Sequence, residues 1–265
     1  MKQRIITGVI AAALFLPIVY YGGFPLVILT YFLATIGLYE LLKMKKINIF
    51  SVNGVLALLF LWVLLFPENY YHILDSFYYS KIEICIALIL LLLTFTVITK
   101  NQFTFEDASF SILSAIYVAI VFYFFFETRQ DCGLVYIFYS LFMMWATDSG
   151  AYFIGKALGK TKLWPEISPN KTVEGSVGGV ACAVIVAILF GLFSNNMNVG
   201  LLSLMGITVV LSVFGQIGDL VESAFKRHFN VKDSGNILPG HGGILDRFDS
   251  LLFVWPLLHF FHLWL

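Results

Sequence analysis

"GSVGGVACAVIVAILFGLFS", residues 175–194, runs for twenty residues without one charged side chain. A helix needs about 20 predominantly apolar residues to cross the hydrocarbon of a bilayer, so this stretch reads as a membrane span. Gly175 and Gly179 open it with a small-xxx-small spacing that favours close packing against another helix. Comparable apolar runs lie on both sides, at roughly 5–21, 24–42, 52–67, 82–99, 108–126, 133–155, 199–221 and 246–265. The chain of 265 residues is 60% hydrophobic and only 12% charged, too little polar surface for a soluble domain of this length. None of the runs alternates with the two-residue period of a membrane barrel strand, so helices are the structure that satisfies the backbone in lipid. The sequence therefore predicts an all-α integral membrane protein with about nine spans.

Charge gives these spans a direction. With the N-terminus placed in the cytoplasm, 14 of the 16 Lys and Arg residues fall on the inner side, leaving Lys81 and Arg129 outside. That split predicts a cytoplasmic N-terminus and an external C-terminus. The zero formal net charge thus conceals a strongly polarised molecule. Lys2 and Arg4 precede an apolar stretch, but no small-x-small cleavage site follows, and residues 5–21 read as a retained span rather than a leader. Cys85, Cys132 and Cys182 lack metal-ligand spacing and read as small apolar packers.

Two regions are expected. Residues 1–130 have short polar connections and few intramembrane charges, which predicts a transmembrane scaffold. Residues 131–265 carry two longer polar connections, near 156–174 and 222–245, together with acids at the ends of spans, which predicts a catalytic region. In "VFGQIGDLVESAFKRHF", residues 213–229, Asp219, Glu222 and Lys226 share a helix face at i, i+3 and i+7, with Ser223 and Arg227 beside them. A carboxylate such as Asp219 at the membrane boundary marks a functional site unless a pairing explains it. Asp246 and Asp249, again i and i+3, are expected to point one way from the first turn of the last span.

A divalent-metal site would employ these acids, because Mg²⁺ is commonly held by one or two carboxylates plus substrate phosphates. Asp219, Asp246 and Asp249 are the expected metal ligands, with Lys226, Arg227, Lys232 and Arg247 as cations for phosphate oxygens. Between them, "DSGNILPGHGG" supplies Gly235, Gly240, Gly242 and Gly243, which permit close backbone approach to a phosphate. It is not a Walker loop. Metal acids and cations flanking such a loop point to phosphoryl or nucleotidyl transfer.

The segment Ser223–Asp249, "SAFKRHFNVKDSGNILPGHGGILDRFD", resembles the signature of the phosphatidate cytidylyltransferase (CDP-diacylglycerol synthase) family. The matching positions are Ser223, Lys226 and Arg227, then Lys232 and Asp233, then Pro239 to Gly243, then Asp246, Arg247 and Asp249. "SPNKTVEG", residues 168–175, is similar to a second family stretch and adds Lys171 and Glu174, with Asn170 where a basic residue is usual. "ATDSGAYFIGKALGK", residues 146–160, places Asp148 where relatives carry an acid.

The resemblance implies transfer of CMP from CTP to phosphatidic acid, giving CDP-diacylglycerol and pyrophosphate in phospholipid biosynthesis. It further implies Mg²⁺ with room for a second cation, a homodimer in the cell membrane, an active site on the cytoplasmic side, and no nucleic-acid partner. Asp219, Lys226, Arg227, His241, Asp246, Arg247 and Asp249 become catalytic candidates. Asp148, Lys171, Glu174, Ser223, Lys232, Asp233, Gly240, Gly242 and Gly243 become substrate-binding candidates. His241 has two open readings, a donor that orders the loop or a group on pyrophosphate; His259 and His262 read as packing. A CTP-dependent kinase acting on polyprenol-type alcohols and an ion-coupled transporter are the competing classes.

Overall fold

The computed structural model describes residues 2–70, 79–194, 197, 199–240 and 242–264, with the backbone alone for 2–5 and 262–264. His241 and the side chain of His262 therefore lie outside the described residues. The chain is mostly helical. In order it forms α1 (Lys2–Tyr21), α2 (Gly23–Met44), α3 (Val52–Leu64), α4 (Lys81–Ile98), α5 (Phe105–Glu127), α6 (Leu134–Leu158), α7 (Val173–Phe193), α8 (Leu201–His228), α9 (Leu245–Phe248) and α10 (Leu251–Trp264).

Several helix starts follow from local chemistry in the sequence. Before α4, Ser80 and Glu83 form a reciprocal capping box: Glu83 N donates to Ser80 Oγ at 3.2 Å and Ser80 N to Glu83 Oε2 at 2.7 Å. Thr104 and Asp107 repeat that exchange before α5, at 3.2 and 3.0 Å. Thr172 caps α7, its Oγ1 accepting from Gly175 N at 3.1 Å. Each pairing satisfies donors that a helix start leaves open.

Among the described residues, five helical segments have the length and apolarity to cross a membrane: Gly23–Met44, Lys81–Ile98, Phe105–Cys132, Val173–Phe193 and Leu201–His228. Ile6–Tyr21, Val52–Leu64 and Leu251–Phe261 are shorter apolar helices. Large apolar side chains such as Leu14, Phe32, Ile82, Leu90 and Leu192 stand exposed, far more than a water-facing surface carries.

One expectation needs correction. The sequence reads as all-α, yet the connection after α6 forms an antiparallel hairpin of β1 (Lys162–Trp164) and β2 (Ser168–Thr172). Its register, Lys162 to Thr172 and Trp164 to Ser168, contains an irregularity between the two pairs. Pro165 lies in the turn, where its fixed φ is accommodated outside the strand ladder.

The chain divides into two compact units. One contains residues 1–126 and 233–246; the other contains 127–232 and 247–265. Within the first, Leu92, Phe103 and Ala108 form a buried cluster against which Ile47, Leu56 and Ile112 pack. Within the second, α6 and α7 lie against one another so closely that a Cβ on Gly179 would stand 2.6 Å from the Thr147 carbonyl oxygen. Polar bonds also tie its helices together: Trp255 Nε1 donates to Ser140 Oγ at 3.0 Å, and Thr147 and Ser212 hydroxyls meet at 2.9 Å. Such bonds are a recurrent interhelical attachment where lipid offers no alternative partner.

Candidate active site

The second unit holds a cavity of about 620 Å³, within the usual range for small-molecule sites. Its wall is made by α6, the hairpin, the first turn of α7 and α8. Lys156, Lys160, Lys162 and Lys171 line it together with Asp148 and Asp219, and Lys162 Nζ donates to the Pro169 carbonyl at 2.6 Å. Gln216 and Ser176 add neutral polar groups. The aligned "GKALGKTK" of residues 155–162 delivers three of these lysines from the end of α6 into β1, and β2 returns with the fourth.

Lys171 forms an ion pair with Asp219. Ser223, one helical turn further along α8, donates to Asp219 Oδ1 at 3.4 Å. Asp148 lies within electrostatic reach of Asp219, Asp249, Lys171 and Arg247. Asp249 in turn interacts with Asp219, Glu222 and Lys226. The helix face anticipated on α8 is present: Glu222 is fully buried and its Oε2 stands 3.4 Å from Lys226 Nζ. Like charges at this density repel strongly in a low-dielectric region, and opposite charges or protons must offset them. Among the cations, Lys171 and Lys226 are already engaged in this role.

Other sequence candidates have different neighbours. Arg227 Nε donates to the Ile167 carbonyl at 3.2 Å, fastening α8 to the hairpin turn. The Glu174 carboxylate accepts from Lys160 N and Thr161 N, each at 3.1 Å, and so shapes the chain entering β1. It is absent from the cavity lining. Lys232 and Asp233 are exposed.

The expected pair Asp246 and Asp249 does not share one helix start. α9 ends at Phe248, and Asp249 occupies the turn before α10, where its Oδ1 accepts from Ser250 N at 2.7 Å. Asp246 belongs to the first unit. There its Oδ2 accepts from Ser234 N, Ser234 Oγ and Gly243 N, all at 2.8 Å. A spacing of three residues places side chains together only if the helix is continuous, and this helix is broken. Correspondingly, no group of three or more His, Cys, Asp or Glu is arranged to hold a metal ion among the described residues.

The glycine-rich loop in the first unit is closed by Leu238 N donating to the Gly242 carbonyl at 3.0 Å. Gly240 and Gly242 have φ of 79° and 88°, a region that side-chain-bearing residues avoid. Gly243 contributes its N–H to Asp246, as above. The charge rule accounts for Lys156, Lys160 and Lys162 without any site, and Glu40 matches no motif; the repeated Gly-Lys spacing and an acid inside an apolar run are their signals in the sequence.

The structure thus defines a multi-pass helical membrane protein with a cation-rich and acid-bearing cavity. A model described as "Cytidylyltransferase family" matches residues 2–265, and the chain belongs to that family. Its relatives include a phosphatidate cytidylyltransferase of Bacillus subtilis (strain 168), 55% identical over 262 residues, covering 98% of this chain and 97% of the relative. Proteins of the same name from Staphylococcus haemolyticus (strain JCSC1435) and Staphylococcus aureus (strain COL) are each 50% identical, over 262 and 260 residues, covering 98% of both chains in each comparison.

Proposed function

We propose that this protein transfers CMP from CTP to phosphatidic acid, releasing pyrophosphate and forming CDP-diacylglycerol. The observation that carries the reading is one cavity lined by Lys156, Lys160, Lys162 and Lys171 together with Asp148 and Asp219. Two polyanions must approach one another in this reaction, and four ammonium groups offset the repulsion between them. The full-length relatives with this activity in their names support the same conclusion.

A phosphate oxygen of phosphatidic acid attacks the α-phosphorus of CTP. A new P–O bond forms, the bond from the α-phosphorus to the α,β-bridging oxygen breaks, and its electron pair leaves with pyrophosphate. The attacking oxygen is already ionised at neutral pH, so the step requires no general base. It requires orientation of the two phosphates and stabilisation of charge on the departing group. Lys171 and the neighbouring cavity lysines orient the nucleotide phosphates, while Lys226, Arg227, Lys232 and Arg247 are the further cations assigned to phosphate oxygens.

The density of carboxylates around Asp219 and Asp249, with Asp148 in reach, fits a divalent cation by charge and by donor type. Asp219, Asp246 and Asp249 are the proposed Mg²⁺ ligands, and Asp246 also braces the loop through Oδ2. When bound, the cation supplies charge neutralisation for the transferred and departing phosphates. His241 retains both of its readings.

The finer topology belongs to the same proposal: nine spans, a cytoplasmic N-terminus, an external C-terminus, and a site opening to the cytoplasmic side of the cell membrane. The nine helices other than α9 among the described residues correspond to the nine apolar runs, and 14 of 16 basic residues fall on one side under that arrangement. A homodimer is also proposed, on the family resemblance.

CTP labelled at the α-phosphate, presented with phosphatidic acid and Mg²⁺ to the detergent-solubilised protein, tests the activity. Label is expected in the lipid, with pyrophosphate released. Label retained in free CDP, with none in lipid, would establish a lipid kinase instead. Absence of any substrate-dependent pyrophosphate release would leave the transporter class standing.

A further inference from the structure

Glu40 lies near the end of α2 in the half of the molecule that the sequence reads as scaffold. It is 1% exposed. Its partners are all in the loop about two hundred residues later: Oε1 accepts from Ile244 N at 2.9 Å, Oε2 from Leu245 N at 3.0 Å, and Oε2 also from Ser234 Oγ at 3.1 Å. Ser234 Oγ additionally reaches Asp246 Oδ2 at 2.8 Å, so one serine connects the two carboxylates. The fit is close on the loop's side. A Cβ added to Gly243 would stand 2.6 Å from Glu40 Cδ, and one added to Gly235 would stand 2.8 Å from it. Gly37, one turn earlier on α2, admits the Leu245 side chain, whose Cδ2 would be 3.2 Å from a Cβ there.

A buried carboxylate is expensive unless its oxygens are saturated with donors. Here three donors come from the two ends of one loop, residues 234 and 244–245. Two of them are successive N–H groups, on Ile244 and on Leu245 where α9 begins. The arrangement fixes the span of the loop. Leu245 directly precedes Asp246, so the backbone that Glu40 holds is the backbone from which that carboxylate departs.

We infer that Glu40 is a positioning residue for the transfer reaction: through Ser234, Ile244 and Leu245 it sets the backbone of residues 234–240 and 242–246 and thereby the placement of Asp246. It touches no substrate. The inference rests on the proposed cytidylyltransferase activity for its kinetic consequence, but the loop restraint itself is independent of that activity.

The test is Glu40→Gln, which keeps the size of the side chain while turning one acceptor into a donor that opposes Ile244 N–H or Leu245 N–H. Outer-shell partners of this kind typically contribute about 10–100-fold to metal affinity or activity. A loss of about that size in kcat is expected, with at least a tenfold increase in the Mg²⁺ concentration giving half-maximal rate. Amide hydrogen exchange across 233–246 should accelerate by at least tenfold while α6–α8 exchange as in the wild type. A role in overall stability alone would lower the active fraction without moving the Mg²⁺ requirement. Wild-type kinetics overturn the inference, as does faster loop exchange with unchanged kinetics or slower turnover with unchanged loop exchange. Should Glu40→Gln not fold, wild-type exchange decides: Ile244 and Leu245 must be at least tenfold better protected than Asn236 and Ile237, and equal protection overturns the restraint. A wild-type protein that makes no CDP-lipid refutes the activity, while the exchange comparison still judges the restraint.

Discussion

Replacing Gly175 by alanine adds one methyl group at a tightly packed part of the cavity wall. Its Cβ would stand 2.6 Å from the Ala151 carbonyl oxygen, 2.9 Å from Thr172 Oγ1 and 3.0 Å from Gly155 Cα. Ordinary contact begins at 3.4 Å, so the first of these is 0.8 Å too short. Two of the three obstacles are backbone atoms and cannot rotate aside. α6 and α7 must separate locally, and Thr172 must give up its cap on α7. Overpacking of this kind costs about 1–3 kcal/mol, which for a chain of this size lowers the unfolding midpoint by roughly 2–12 °C. Gly155, Thr172 and Gly175 also line the cavity, so the KM for CTP should rise with the loss of stability. Gly206→Ala supplies the control, because nothing lies within 4 Å of its Cβ; helix propensity then makes the change neutral or stabilising by up to about 1 kcal/mol. Thermal unfolding in one detergent, with steady-state kinetics on the same preparations, measures both. A Gly175→Ala protein melting within 1 °C of the wild type with unchanged KM would refute the packing argument, as would an equal loss from Gly206→Ala.

Two further outcomes are expected. Asp249→Asn should abolish turnover in a protein that remains folded; near-normal rate at saturating Mg²⁺ removes Asp249 from the proposed metal site. Lys160→Ala should raise the KM for CTP about fivefold, the equivalent of roughly 1 kcal/mol for a solvent-accessible charge, and should weaken the dependence of KM on ionic strength. An unchanged KM at low salt would exclude Lys160 from nucleotide binding.

Apolar runs were legible in the sequence because a span must present nonpolar side chains almost continuously to lipid. Asp219, Glu222 and Lys226 were legible for a related reason: their helix is continuous, so spacing translates directly into a shared face. The same logic failed at Asp246 and Asp249, where the helix breaks after Phe248 and spacing no longer reports direction. The hairpin of residues 162–172 escaped because its short strands, interrupted by an irregular register, carry no period-two pattern. Lys156, Lys160 and Lys162 satisfied the charge rule for orientation, and that explanation concealed their convergence on a cavity. Glu40 was the least accessible of all, since local pattern says nothing about donors 194 to 205 residues away.

That separation gives Glu40 a history within the life of each molecule. At about 5–20 residues per second, the ribosome takes roughly 10–40 s to pass from Glu40 to Ile244. Throughout that interval α2 exists without the three donors that satisfy its carboxylate. A nascent or truncated chain is therefore marked by an acid lacking its final partners, whereas the finished chain withdraws it. Completion of synthesis is registered chemically in the first half of the protein.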